Sequence, residues 1–222
     1  ATLLAHLDNR VERLVELVIE MLTRREAWLP VLPDHTPDPG EEARLRRELE
    51  SARERLVRGH LAALHRAVPQ AWLRDAAALA REAASNLAAS APDSPIVVWR
   101  STSRVPEDAL ADAPLWQALA LLLLTARGEP RARCDGKIGF PSGPGGQALK
   151  RQADFLATSL GESGDAVELL HAVRRLPPAS YDAEEWAVLM AQLRVLRLAV
   201  GELDFVLSER READYPLFWW AA

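Results

Sequence analysis

Two stretches, one near each end of this chain, repeat apolar residues in alternating steps of three and four. They are Leu4, Leu7, Val11, Leu14, Val18 and Met21, then Trp186, Leu189, Leu193, Leu196, Val200, Leu203 and Leu207. That spacing lines side chains along one side of an α-helix, and the alternation is that of a coiled-coil seam. An amphipathic helix draws most of its stability from burying such a face, so each seam demands partner helices. A chain framed this way is expected to be all-α.

Between the seams, proline and glycine set the boundaries. The first helix is expected to end near Trp28-Leu29, ahead of Pro30 and Pro33, with residues 34–40 as a loop. Leu45, Leu49, Ala52, Leu56 and Leu64 mark a second long helix. Pro69 interrupts it, and Trp72 to Ala89 continues as an alanine-rich helix whose small side chains let neighbours approach closely. Residues 90–114 are irregular and are a candidate sub-boundary; Ile96-Val97-Val98-Trp99 within them reads as a short strand or a buried turn. Pro114 suits the first turn of a helix through Leu124, and Gly128 suits its C-terminal cap. Residues 139–146 form a Gly/Pro-rich loop. Helices over 147–160 and 165–176 follow, joined by a turn at 161–164, and Asp182 is placed to cap the last helix. The expected architecture is an irregular bundle of about seven helices, the long first, second and last antiparallel, with a Gly/Pro-rich basic loop.

Composition excludes several classes. The 222 residues are 49% hydrophobic and 27% charged, ordinary for a globular chain able to bury its own core. The single cysteine, Cys134, rules out an intrachain disulfide framework and fits a reducing compartment. No apolar run reaches the ~18 residues of a membrane span, and no signal peptide is visible. A cytoplasmic location without membrane contact is the expectation. The 25 arginines against two lysines reflect a GC-rich coding sequence rather than a function.

Catalytic constellations are sparse. The Gly-rich segment Gly139–Gln147 lacks the Gly-Lys-Ser/Thr ending that reaches phosphates and Mg²⁺, and its prolines remove backbone donors. His60 and His65 are five apart, about 140° around a helix, where a zinc pair wants four. Cys134 lies among Arg131, Arg133 and Lys137, which would lower its pKa if it were exposed, but no base accompanies it. Pairs such as Glu41-Glu42 and Glu184-Glu185 suit solvated helix faces. What stands out is charge. From Arg127 to Arg151 six cations face two acids (Glu129 and Asp135) in a chain of net charge −5. Arg127, Arg131, Arg133, Lys137, Lys150 and Arg151 are therefore the candidate polyanion contacts, through phosphate rather than base identity. Phe140, the one aromatic in the loop, is expected to pack inward.

The order of several short motifs resembles a family. Arg-Arg-Glu-Ala-Trp-Leu (24–29), Leu-Leu-Leu-Thr-Ala-Arg-Gly-Glu-Pro-Arg (122–131) and Gly-Phe-Pro (139–141) come first. Leu-Pro-Pro (176–178), Tyr181, Trp-Ala-Val-Leu (186–189), Leu-Arg-Leu-Ala-Val-Gly-Glu-Leu (196–203) and Ala-Asp-Tyr (213–215) follow. Together they resemble the helical 1B subdomain of UvrD/RecB-like superfamily 1 DNA helicases, including exonuclease V beta-subunit-like proteins, over about residues 3–215. Pro216 and Leu207 depart from that pattern, at the C-terminal boundary. The resemblance implies that 1–222 is a single accessory subdomain excised from a larger bacterial helicase. It implies DNA and the motor domains of the same polypeptide as partners, and ATP with Mg²⁺ as the parent's cofactors. No motor motif lies in these residues, so the chain is expected to be catalytically inert, with no cofactor of its own. The alternative is a helical protein-interaction module without DNA binding.

Overall fold

The computed structural model describes residues 11–31, 38–131, 133–177 and 181–210. The chain is all-α, and no named strand occurs among the described residues. The helices are α1 (Val11–Leu22), α2 (Arg25–Trp28), α3 (Pro39–Ala67), α4 (Gln70–Leu87), α5 (Ala113–Leu123), α6 (Pro144–Gly161), α7 (Ala166–Arg174) and α8 (Ala183–Arg210). They fall into two compact units: Ala1–Arg46 with Tyr181–Ala222, and Arg47–Ser180. Residues 90–114, the expected sub-boundary, lie wholly inside the second unit. The division falls instead within α3 and before α8.

The second unit holds a complete core. Val57, Leu61 and Leu64 of α3 are fully buried, and Leu56, expected on the same seam, is exposed. Pro69 takes extended geometry and starts α4 rather than kinking α3. Ala76, Ala77, Ala80, Ala83 and Ala84 are all buried on α4, and their small size brings neighbouring backbones close. Residues Pro95–Ser101 form a 3₁₀ turn, not a strand; it buries Ile96 and Trp99 against α4 and α5. Ser94 opens it by accepting from the Ile96 amide, with Pro95 at the first position. Each buried indole of this unit finds an acceptor: Trp72 donates to the Leu156 carbonyl at 2.8 Å, Trp99 to the Leu115 carbonyl at 3.1 Å and Trp116 to the Glu107 carbonyl at 2.8 Å. Burying these rings therefore carries no unsatisfied-donor penalty.

One carboxylate is buried in this unit. Asp112 takes both Arg104 guanidinium nitrogens and the Glu107 amide, closing the segment between them. Burial pushes its pKa up, but the Arg104 hydrogen bond, the Glu107 N–H and the Arg104 charge outweigh that and hold it below the usual carboxylate range.

The first unit is built on α1 and α8. Helix α1 packs on α8, and Trp186, Met190, Leu196 and Val200 of α8 are buried. The first helix stops at Leu22, earlier than its prolines suggest. Thr23 bonds back to the Glu20 carbonyl, Arg25 to Leu22 and Trp28 to Met21, so side chains satisfy the freed carbonyls. Capping boxes open both long helices. Asp38 accepts from the Gly40 and Glu41 amides while Glu41 accepts from the Asp38 amide, and Asp182, Glu184 and Glu185 repeat the arrangement. Asp182 thus caps as expected. Arg46 lies 4.9 Å from the Trp186 ring centre, and Tyr181 meets the same ring edge-on. The expected start of the first seam at Leu4 and Leu7, the prolines at 33 and 178, and the motif at 213–215 lie outside the described residues.

Candidate functional site

The segment 124–151 is more structured than a Gly/Pro-rich loop. Helix α5 ends at Leu123, and a tight turn follows in which the Leu123 carbonyl accepts from the Arg131 amide at 2.9 Å. Leu124 and Pro130 form an isolated antiparallel bridge. Inside, the Thr125 amide donates to Glu129, and the Thr125 hydroxyl accepts from the amides of Arg127 and Glu129. Gly128, at φ +84°, closes this turn rather than capping α5, which ends five residues earlier. Its left-handed backbone and the absence of a side chain are both needed, because a Cβ there would lie 2.6 Å from Nδ1 of His171.

Farther on, Asp135 accepts from the Lys137 amide and opens a 3₁₀ turn, Gly136–Ile138. Gly139 ends it at φ +86° with its backbone against Ala83 of α4, while Asn86 donates to its carbonyl at 2.9 Å. Phe140 is buried, as expected. Gly145 and Gly146 belong to the first turns of α6 rather than to a loop, and Gly146 touches the Pro141 carbonyl too closely for any side chain.

The six candidate cations divide by environment. Arg127, Arg133, Lys137 and Arg151 are exposed, and Lys150 is half-buried. None of these five side chains makes a hydrogen bond or ion pair among the described residues. Arg131 differs: it is half-buried and its Nε donates to the Leu121 carbonyl at 3.0 Å, so it also serves the turn. The charges of Arg131 and Lys150, and those of Asp154 and Asp135, all act on the Cys134 thiol. Arg127 stands on the turn beside α7, and Lys137 on the 3₁₀ turn anchored to α4.

Cys134 is buried, which removes the premise that its basic neighbours activate it. Burial pushes its thiol up, Asp154 adds to this, and the charges of Arg131 and Lys150 oppose it only in part. A protonated, covered thiol is a poor nucleophile and a poor metal ligand.

The turn offers positive charge to a polyanion but few backbone donors, since Thr125 occupies the amides of Arg127 and Glu129 and carbonyls take those of Gly128 and Arg131. Any phosphate contact here must come through guanidinium and ammonium groups, whose strength depends on salt. Sequence reading missed the α7 residues that hold the turn, His171 and Arg174. They lie more than forty residues downstream, and no local spacing relates them to it.

No protein-family model, curated protein or solved structure matches the chain.

Proposed function

We propose that this chain is the helical accessory segment of a bacterial DNA helicase of the UvrD/RecB type. In this reading it guides DNA through phosphate contacts and is catalytically inert on its own. ATP and Mg²⁺ act in the motor domains of the same polypeptide, in the cytoplasm. The observation that carries the DNA-guiding role is the set of uncommitted cations. Among the described residues, the side chains of Arg127, Arg133, Lys137, Lys150 and Arg151 make no hydrogen bond or ion pair, on a chain that is acidic elsewhere. Arg127 and Lys137 stand on hydrogen-bonded turns and Lys150 and Arg151 on α6, so at these four DNA need order only the side chains. The order of motifs around Leu122–Arg131 and Gly139–Pro141 supports the family assignment.

The first unit favours the runner-up, a protein-docking role. Val11, Val15 and Ile19 are 55%, 50% and 56% exposed, four residues apart on one face of α1, beside exposed Glu12, Glu16 and Glu20. Leu198 and Phe205 are exposed on α8 as well. In the helicase reading this unit is where the motor domains dock. In the alternative it binds another helical protein and the chain has no DNA affinity.

Titration of a labelled 20-base-pair duplex against NaCl decides between them. Arg127→Ala/Arg133→Ala/Arg151→Ala is expected to weaken binding and to reduce the slope of log K against log salt by about 2–3, since each lost phosphate contact removes about 0.9. Affinity should be largely indifferent to sequence. An unchanged slope, or no salt-dependent binding by the unaltered chain, sinks the DNA reading.

A further inference from the structure

We propose that His171 and Arg174 of α7 are positioning residues that latch the turn 124–131 and hold Arg127 and Arg131 in place for phosphate. The DNA part of this rests on the reading above; the latch itself does not.

Three consecutive carbonyls of the turn are taken by α7 side chains. Nη1 of Arg174 donates to Leu124 at 3.1 Å and to Thr125 at 2.6 Å, and Nε2 of His171 lies 3.3 Å from the Ala126 carbonyl. A carbonyl only accepts, so Nε2 carries the proton in that contact. The other side of the imidazole lies against Gly128, where there is room for a backbone and nothing more. Arg174 therefore pulls the turn onto α7 while the His171 ring sets its distance.

Such a latch has work to do because the bonds within the turn join only residues 123–131 to one another and none of them ties the turn to α7. Its single bridge is to Pro130, which has no N–H to extend a ladder. Without α7 the Leu124 and Ala126 carbonyls would turn to water, the Thr125 carbonyl would keep only the Gly128 amide, and the turn would be free to swing away from the helix. Arg127 would then lose its fixed mounting, and DNA would have to order backbone as well as side chain.

Four variants of the full chain test this: His171→Ala, Arg174→Ala, Arg174→Lys and Arg175→Ala. Arg175 is exposed and bonds only within its own helix end, so its replacement matches the charge lost in Arg174→Ala without touching the turn. Amide exchange over 125–131 should quicken at least about tenfold in Arg174→Ala and His171→Ala, and stay unchanged in Arg175→Ala. Arg174→Lys, which keeps a donor and the charge, should recover much of the protection. Duplex affinity should fall about 3–10-fold further in Arg174→Ala than in Arg175→Ala. Adding Arg127→Ala to Arg174→Ala should cost less than it does in the unaltered chain. Unchanged exchange in Arg174→Ala and His171→Ala, with native circular dichroism, overturns the latch whatever DNA does. Faster exchange with the affinity of Arg175→Ala overturns its role in positioning. If Arg127→Ala/Arg133→Ala/Arg151→Ala leaves affinity and salt slope unchanged, the DNA reading fails, and exchange alone then decides the latch.

Discussion

Replacing Gly139 by alanine tests whether the Gly/Pro-rich segment is an adaptable loop or a fitted piece of the second unit. At φ +86° an L-residue carries a strain of about 1–2 kcal/mol. The added methyl would sit 2.7 Å from the Cα of Ala83, against helix backbone that cannot rotate away. Relief requires the 3₁₀ turn to lift off α4, an overpacking cost of about 1–3 kcal/mol. Lifting it stretches the 2.9 Å bond from Asn86 to the Gly139 carbonyl, a loss of about 0.5–1.5 kcal/mol. Because one movement relieves several of these terms together, the expected loss is about 3–5 kcal/mol, a large share of a domain's stability. Urea unfolding, followed by tryptophan fluorescence and far-ultraviolet circular dichroism, measures it. Gly59→Ala is the control: it lies inside α3 in the same unit, with nothing within 4 Å of its added carbon. That change should stabilise by about 0.5–1 kcal/mol through helix propensity. A loss under ~0.5 kcal/mol for Gly139→Ala, or equal losses at both glycines, would refute the reasoning.

Asp112→Asn should destabilise the second unit by about 1–3 kcal/mol, because the buried site loses its anionic acceptor for the Glu107 amide, while the outward Arg104 rehydrates. The folded Asp112 pKa is depressed, so its contribution is present above the unfolded value near ~3.9 and is lost as pH falls through the folded one; acid unfolding of Asp112→Asn should show a shallower pH dependence below about pH 4, and parallel acid curves would be evidence against it. Cys134 should react with iodoacetamide at neutral pH only slowly until urea unfolds the chain, and rapid labelling of the folded protein would contradict its buried, raised-pKa thiol. Trp186→Ala should cost about 3–5 kcal/mol and Leu193→Ala less, since Trp186 is buried and Leu193 only half-buried; the reverse order in urea titrations would mean the α8 core row has been misplaced.

What the sequence determined alone is the helical class and most helix starts and stops, because those follow from local rules. The three-and-four spacing from Trp186 marks α8, Pro69 and Pro114 open helices, and the inward packing of Phe140 followed from its apolar ring in a polar loop. Tertiary structure decided whatever depends on residues far apart. Leu56 and Leu64 share a sequence pattern, yet Leu64 is buried and Leu56 exposed, since only the packing of neighbours chooses which side of a helix is covered. Gly128 looks like a helix cap in sequence and is instead fitted against His171, and Cys134 looks activated among arginines but is covered. The candidate site divides the same way. The cations were legible as a charge run, whereas the diversion of Arg131 to the Leu121 carbonyl and the hold of Arg174 on the turn were not. A hydrogen bond spanning about fifty residues exists only once helix packing brings its ends together, and no local propensity encodes it.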